Sequence, residues 1–172
     1  MSLDSLQDLF LTDLKDIYNA EKQLLKALPR MAKAAESPDL QRAFTKHLRE
    51  TEGQVARLER IFKALGETPR GKRCKGMEGL VEEGKEVMEE DGEEPVRDAA
   101  LIAAAQKVEH YEIATYGCLI TYAQLLGNGE AVNLLKQTLA EEEATDKALT
   151  ALGEGGINEA AVAAGQGVEE EE

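Results

Sequence analysis

The sequence predicts an all-α protein, an antiparallel bundle of four long helices, and three observations support that prediction. Aromatic residues make up only 4% of the 172 residues and Trp is absent, whereas strands favour aromatic and β-branched side chains. Apolar side chains recur with a helical period over four long stretches. Short breaks separate the first stretch from the second and the third from the fourth, so each pair is expected to form an antiparallel hairpin.

The first two helices are defined by their apolar period and by residues suited to helix ends. The first runs from about residue 3 to about residue 35. Pro29 lies inside it and is expected to kink the helix or to end its regular part, because proline has no backbone donor. Ser37 then offers an N-cap, and apolar positions continue at helical spacing up to Gly66, a residue suited to a C-cap.

The second half of the chain contains a connection and two further helices. Gly and Pro residues interrupt residues 66–95, which leaves room for one short helix at about residues 77–90. The third long helix is predicted from about residue 96 to residue 126, and the fourth from about residue 130 to residue 152. Residues 66–95 are therefore interpreted as the link between two hairpins.

Residues 1–152 are expected to form one helical domain, because 172 residues are too few for two independent cores. Beyond Gly153 the chain is rich in Gly, Ala and Glu and finishes in four consecutive glutamates. Such a composition is typical of a flexible segment. Residues 153–172 are accordingly predicted to be a flexible tail.

Composition also excludes several classes of function. The 20 Lys and Arg residues against 34 Asp and Glu residues give a net charge of −14, which repels phosphate backbones and anionic lipids, so nucleic-acid and membrane binding are not expected. No stretch approaches the ~20 apolar residues that span a bilayer, and the first residues do not have the pattern of a signal peptide. A cytoplasmic location is therefore expected. Two cysteines are too few for a disulfide framework.

Acidic side chains fall on the apolar faces of all four predicted helices. When each residue is advanced by ~100° around the helix axis, several carboxylates and one imidazole lie among the apolar positions and not opposite them. The inward-facing candidates are Glu21 on the first helix, His47 and Glu50 on the second, Glu109 and Glu112 on the third, and Glu142 and Asp146 on the fourth.

These inward-facing carboxylates need a partner. An ionised carboxylate is almost never buried unless it is paired or bound to a metal. No Lys or Arg falls on the same faces at the same height, so a divalent cation is the simplest partner. Nearly the same number of residues separates Glu21 from Glu50 as separates Glu112 from Glu142, which would bring both pairs to one level. The alternative is a network of protonated acids and hydrogen bonds.

Four segments of the predicted helices carry a resemblance to a known family. They are NAEKQL at residues 19–24 with ALP at 27–29, HLRETEGQ at 47–54, AALIAAAQKVEHYEIA at 99–114 and TLAEEEATD at 138–146. Together they resemble the YciE/YciF family of ferritin-like proteins, over about residues 1–152. The resemblance implies a ferritin-like bundle with a long crossover between the second and third helices, a homodimer, an association with stress and a binuclear metal site.

The resemblance also implies a ligand set. Carried over by position, the carboxylate ligands of the superfamily are Glu21, Glu50, Glu112 with Glu109, and Glu142. Ferritin-like di-iron sites normally have a histidine three residues after two of these glutamates, but Gly53 and Thr145 stand at those positions. His47 and Asp146 are the available substitutes. The resemblance implies iron as the metal, with manganese as an alternative. Because the donor set is then rich in oxygen, magnesium and calcium can compete with them.

Three further residues near these positions have weaker signals. Tyr116 lies one turn from Glu112 and could hydrogen-bond a ligand. His110 falls at the edge of the apolar face and is expected to be a packing or dimer-contact residue. Cys74 lies among basic residues that favour a thiolate, and we expect it to be exposed and without a functional role.

Two functions remain open on the sequence alone. The first is a metal-binding stress-response protein, with iron or manganese bound, that reduces peroxide or O₂ as a metal-dependent oxidoreductase. The second is a non-catalytic bundle whose acidic core is structural, or binds a metal without turnover, and whose surface engages a partner.

Overall fold

The regular secondary structure of the chain is entirely helical over residues 3–70 and 72–167, which the structure, a computed structural model, describes. The α-helices of this part are α1 (Leu6–Ala34), α2 (Pro38–Leu65), α3 (Lys75–Glu89), α4 (Glu94–Leu125), α5 (Gly129–Leu152) and α6 (Asn158–Gly167), with one π-helical turn at Gly153–Ile157. The predicted all-α class is confirmed. Among the described residues, none of the helices has both the length and the apolar composition that a bilayer crossing requires.

Four of these helices form the bundle that was predicted. Helix α1 packs on α2, α2 on α5, α5 on α4, and α4 on α1, so that the four helices form a closed ring around one core. Short connections join α1 to α2 and α4 to α5, which makes each pair an antiparallel hairpin. The core is mainly aliphatic, with Phe10, Phe44, Phe62 and Tyr116 as its large aromatic side chains.

Helix ends follow the predicted signals. The Ser37 hydroxyl accepts a hydrogen bond from the Leu40 N–H at 3.4 Å, and Gly66 ends α2 with φ of 68°, a left-handed conformation that favours glycine. Helix α1, by contrast, continues past Pro29 to Ala34. Pro29 is exposed, so the carbonyl that loses its helical donor there lies on the side of the helix that water can reach.

A long crossover joins the two hairpins. The Asp98 carboxylate accepts hydrogen bonds from the backbone N–H groups of Glu36 at 2.9 Å and Ser37 at 2.7 Å, which places the start of α4 beside the loop between α1 and α2. Because α2 ends at the opposite end of the bundle, residues 66–93 must travel its length. Helix α3 lies on this path and packs on both α1 and α4.

The start of α3 is attached to α1 through Cys74. Its N–H donates to Asn19 Oδ1 at 2.8 Å, and its carbonyl accepts from Gln23 Nε2 at 3.1 Å. The expectation of an exposed Cys74 is wrong, because its exposure is 0%, and burial raises the pKa of the thiol instead of favouring the thiolate. The prediction relied on the basic residues beside Cys74 in the sequence. It could not take into account that the crossover packs Cys74 against α1.

The segment after α5 is helical where a flexible tail was expected. A π-helical turn and α6 extend the chain from residue 153 to residue 167, and α6 packs on α4. Gly156 has φ of 136° and allows the change of direction between the two. The alanine content of α6 favours a helix, and α4 supplies a surface for it. The four terminal glutamates lie outside the described residues.

Candidate metal centre

Four buried side chains from three helices converge inside the bundle. His47 of α2, Glu109 and Glu112 of α4, and Glu142 of α5 each offer one ligand atom, and these atoms all lie within 4.8 Å of one another. None of the four residues is more than 2% exposed. We refer to these four residues as the buried cluster. The helical phase of the sequence had placed all four on inward faces, and the fold brings them together.

Helical spacing explains why these residues meet. Glu109 and Glu112 are three residues apart on α4 and therefore lie on one face. On α2, His47 begins a row of buried polar residues that continues at Thr51 and Gln54. The Thr51 hydroxyl donates to the His47 carbonyl at 2.9 Å, so the hydroxyl has its partner within α2. The His47 imidazole faces the other helices.

The imidazole of His47 lies between two helices that carry acids. Its Nε2 is 3.1 Å from Glu109 Oε1 and 3.9 Å from Glu142 Oε2. On the other edge of the ring, Nδ1 is 3.5 Å from the Thr145 hydroxyl and 3.9 Å from Glu50 Oε2. Thr145 thus lies against the Nδ1 edge of the ring, and Nε2 faces the carboxylates. Thr145 occupies a position where the ferritin-like pattern has histidine.

Glu21 brings α1 to the site. It is fully buried, and its Oε1 accepts a hydrogen bond from the hydroxyl of Tyr116, which is itself fully buried. Burial, followed by the charge of Glu142, raises the pKa of Glu21 to about 8. All four bundle helices therefore present a buried ionisable side chain at this level. Tyr116 contacts Glu21, one of the predicted ligands, as its position relative to Glu112 suggested.

Most carboxylate oxygens of the site lack a hydrogen-bonding partner among the described residues. An orphaned buried polar atom costs ~1–3 kcal/mol, so native proteins rarely keep several together. Among the described residues, the buried atoms without a partner include Glu21 Oε2, His47 Nε2, Glu109 Oε2, and both carboxylate oxygens of Glu112 and of Glu142. Carboxylate oxygens with one imidazole nitrogen are donors that divalent metals accept, so the residues present fit a bound divalent cation.

Burial favours the neutral form of these acids. It raises the pKa of Glu109 to about 8. It also raises the pKa of Glu112 and Glu142 well above the ordinary range, and the negative charges of Glu142 and Glu21 raise that of Glu112 further. Without a cation the cluster therefore holds protons near neutral pH. Because metal ligands must be deprotonated, metal binding here would release protons.

A family model described as "Domain of unknown function (DUF892)" matches residues 5–162, most of the chain. The chain belongs to the DUF892 family. This DUF892 chain is 48% identical over 162 residues to Protein YciF of Escherichia coli (strain K12), a match that covers 94% of this chain and 98% of the relative. The YciE/YciF resemblance stated from the sequence is confirmed.

Solved structures agree with the fold of this DUF892 chain. The crystal structure of the E. coli stress protein YciF matches with a TM-score of 0.87 and 48% identity, and covers 91% of this chain and 99% of that one. YcfI from Rhodopseudomonas palustris matches with a TM-score of 0.83 and 45% identity, over 87% of this chain and 97% of that one. The protein XCC3681 from Xanthomonas campestris pv. campestris, at 22% identity, has a TM-score of 0.74 and shares the fold.

Two predicted ligands of the DUF892 chain lie at the edge of the buried cluster. The Glu50 side chain is 20% exposed, and its Oε1 is 2.5 Å from Lys46 Nζ. The Asp146 side chain is also 20% exposed, and its Oδ1 is 3.2 Å from His110 Nε2. His110 is therefore a surface residue paired with an acid and does not pack in the bundle. Metal ligation by Glu50 and Asp146 stays a prediction.

Sequence reasoning missed the side chains that close the bundle of this DUF892 chain between α2 and α5. Arg57 forms two hydrogen bonds with Glu141, at 2.7 Å and 2.5 Å, and a third with the Thr138 hydroxyl at 3.1 Å. Gln54 Nε2 donates to the same carboxylate at 3.1 Å. The available signal was the three-residue spacing of Gln54 and Arg57, which places both on one side of α2.

Proposed function

We propose that this DUF892 chain binds divalent metal ions in the buried cluster, with Glu21 as a further carboxylate of the same site. The observation that supports this function is the convergence of four ligand-bearing side chains within 4.8 Å, with oxygens that have no other partner. An ionised carboxylate in a dry interior needs a cation nearby. Arg57, an arginine of α2, is already paired with Glu141.

The donor set favours particular metals. Carboxylate oxygens alone suit magnesium and calcium, whereas an imidazole nitrogen among them suits iron, manganese and related transition metals. His47 Nε2 faces Glu109 and Glu142, so it is placed to share a cation with them. The four glutamates together supply the negative charge that two divalent ions would balance. Iron or manganese in a binuclear arrangement is therefore the proposed content.

The proposed reaction is the reduction of peroxide or O₂. Iron or manganese bound at the site would supply the electrons. The chain itself excludes bulk water, since every member of the buried cluster is at most 2% exposed. Tyr116 holds a proton at its hydroxyl, directed at Glu21 Oε1, and reduction of peroxide to water consumes protons. Thr145 orients the His47 ring from its Nδ1 edge.

Metal analysis tests the binding function. The purified full-length chain is incubated anaerobically with Fe²⁺ or Mn²⁺, desalted and analysed by elemental mass spectrometry. Glu112→Gln removes a charge from the centre of the site and is expected to lose most of the retained metal, because Glu112 is fully buried with both oxygens unpartnered. Glu143→Gln is the matched control, since Glu143 is an exposed acid on α5. Equal metal content in the two variants would contradict the proposal.

Peroxide consumption tests the reaction. The iron- or manganese-loaded chain is expected to consume peroxide, while the same chain loaded with Zn²⁺ is not, because zinc has no redox chemistry. Metal retention without peroxide or O₂ consumption would contradict the catalytic part and leave binding without turnover.

A non-catalytic acidic core is the second candidate, and one observation favours it. The pKa values of Glu21 and Glu109 lie at about 8, so the carboxyl groups can stay neutral and share protons without any metal. In that case divalent ions would be neither retained nor needed for stability. Failure to retain any metal under all loading conditions would favour this candidate.

A further inference from the structure

The edge where α4 meets α5 carries polar side chains next to the buried cluster. His110, with a side chain that is 68% exposed, places Nε2 3.2 Å from Asp146 Oδ1. Gln106 Nε2 donates to the same oxygen at 3.2 Å and to the Thr150 hydroxyl at 2.7 Å. Asp146 is therefore held in place from α4 and still reaches solvent, with a side chain that is 20% exposed.

This exposed pair adjoins two buried acids. His110 directly follows Glu109 on α4, and Asp146 lies one turn after Glu142 on α5. Glu109 is 1% exposed, and its Oε2 has no hydrogen-bonding partner among the described residues. The negative charge of Asp146 lies close enough to Glu109 to raise its pKa further. The partly exposed Asp146 is thus the acid through which this edge of the bundle connects solvent with the neighbourhood of Glu109.

The neighbouring edge, between α2 and α5, carries basic side chains that pair with its acids. Arg57 spans it and forms two hydrogen bonds with Glu141, and Lys46 neutralises Glu50 from 2.5 Å. By contrast, within the part of the chain that the structure describes, His110 is the only basic side chain within ion-pairing distance of Asp146. Imidazole nitrogens and carboxylate oxygens are both common ligands of divalent metals.

We propose that Asp146 and His110 form an uptake site that takes a hydrated divalent cation from solvent and passes it to Glu109 in the buried cluster. The inference rests on the proposed metal-binding function and adds a route and a role for two side chains outside the cluster. The route is needed because none of the clustered residues is more than 2% exposed, so a hydrated ion cannot reach them directly. Carboxylate and imidazole at the surface can replace part of its hydration shell before it enters.

Uptake kinetics test this proposal. The metal-free full-length chain is mixed with Co²⁺ in a stopped-flow instrument, and the remaining free Co²⁺ is read with a fluorescent chelator. Asp146→Asn keeps the size of the side chain and removes its charge. It is expected to slow association of Co²⁺ by about tenfold. His110→Gln, at a largely exposed position, is expected to slow association and dissociation by the same factor, and to leave the equilibrium affinity and stoichiometry unchanged.

Glu143→Gln is the matched control, an exposed acid on the same helix three residues before Asp146, and it is expected to keep the wild-type rates. Equal slowing in Glu143→Gln would overturn the proposal, because net charge alone would then explain the effect. Wild-type rates in Asp146→Asn and His110→Gln would also overturn it. Weaker affinity with faster release in Asp146→Asn would make Asp146 a ligand of the bound metal instead. Absence of Co²⁺ binding to the wild-type chain would overturn the proposed function and, with it, this inference.

Discussion

Glu21 and Glu109 are carboxylic acids whose surroundings favour the protonated form. Burial is the largest cause for both, and neighbouring carboxylates such as Glu142 beside Glu21 and Asp146 beside Glu109 add to it. Their pKa values of about 8 in the folded protein stand against ~4.3 in an unfolded chain. Over this interval the folded protein holds protons that the unfolded chain has released.

The metal-free protein is therefore expected to lose stability as the pH rises from about 5 to about 8. Each proton held only by the folded state makes the free energy of unfolding fall by about 1.4 kcal/mol per pH unit. The stability that these two acids contribute is fully present below their pKa in the unfolded chain. It is lost as the pH rises through their raised pKa values in the folded protein. Urea unfolding of chelator-treated protein at several pH values measures this, and Glu21→Gln should give a shallower fall. A free energy of unfolding that increases steadily over this range would contradict the assignment of neutral acids.

Much of the site could be predicted at the residue scale, and the reason is geometric. A helix fixes the direction of each side chain, so His47, Glu109 and Glu142 could be placed inside from the sequence alone. Whether an acid near the edge of such a face reaches the centre depends on where the neighbouring helix passes. Asp146 pairs with His110 of α4 for that reason, and no periodicity contains that information. The pair of Lys46 and Glu50, four residues apart on α2, is by contrast available from helical spacing.

At the scale of elements, the four long helices were predictable and the attachment of the crossover was not. The ends of α2 are determined by local signals at Ser37 and Gly66, which act within a few residues of the sequence. The burial of Cys74 depends on Asn19 and Gln23 of α1, more than 50 residues away. Gly76, two residues after Cys74, also depends on a distant residue, because the ring of Tyr111 packs directly on its backbone.

Gly76→Ala is therefore expected to destabilise the protein. A Cβ at this position would lie 2.7 Å from Tyr111 Cε2, so the ring or α3 must move, at a cost of ~1–3 kcal/mol for an overpacked site. Gly79→Ala on the same helix is the matched control. A Cβ there meets no atom within 4 Å, and alanine in a helix stabilises by ~0.5–1 kcal/mol relative to glycine. Urea unfolding of both variants measures the difference, and equal free energies of unfolding would contradict the packing of α3 on α4.

At the scale of the whole molecule, the net charge of −14 has two components with different consequences. Most of the acids are on the surface, where they repel one another weakly through water and are screened by salt. Glu21 and the acids of the buried cluster lie inside the ring of helices, where salt does not reach them. Any monovalent salt relieves the first repulsion, whereas the second is relieved only by protons or by a cation bound inside.

Binding of Fe²⁺ or Mn²⁺ is therefore expected to raise the melting temperature of the whole bundle, because the proposed ligands come from α1, α2, α4 and α5 and a shared ion would link all four helices. A ligand that binds only the folded state at a hundredfold excess over Kd adds ~2.7 kcal/mol to the free energy of unfolding. Thermal melts with and without the metal, at pH 8, measure the shift, and a chelator should reverse it. NaCl at matched ionic strength is the control, since it screens the surface acids alone. An equal shift with NaCl would mean that surface repulsion explains the stabilisation, and it would remove the reason to place a cation among Glu21, Glu112 and Glu142.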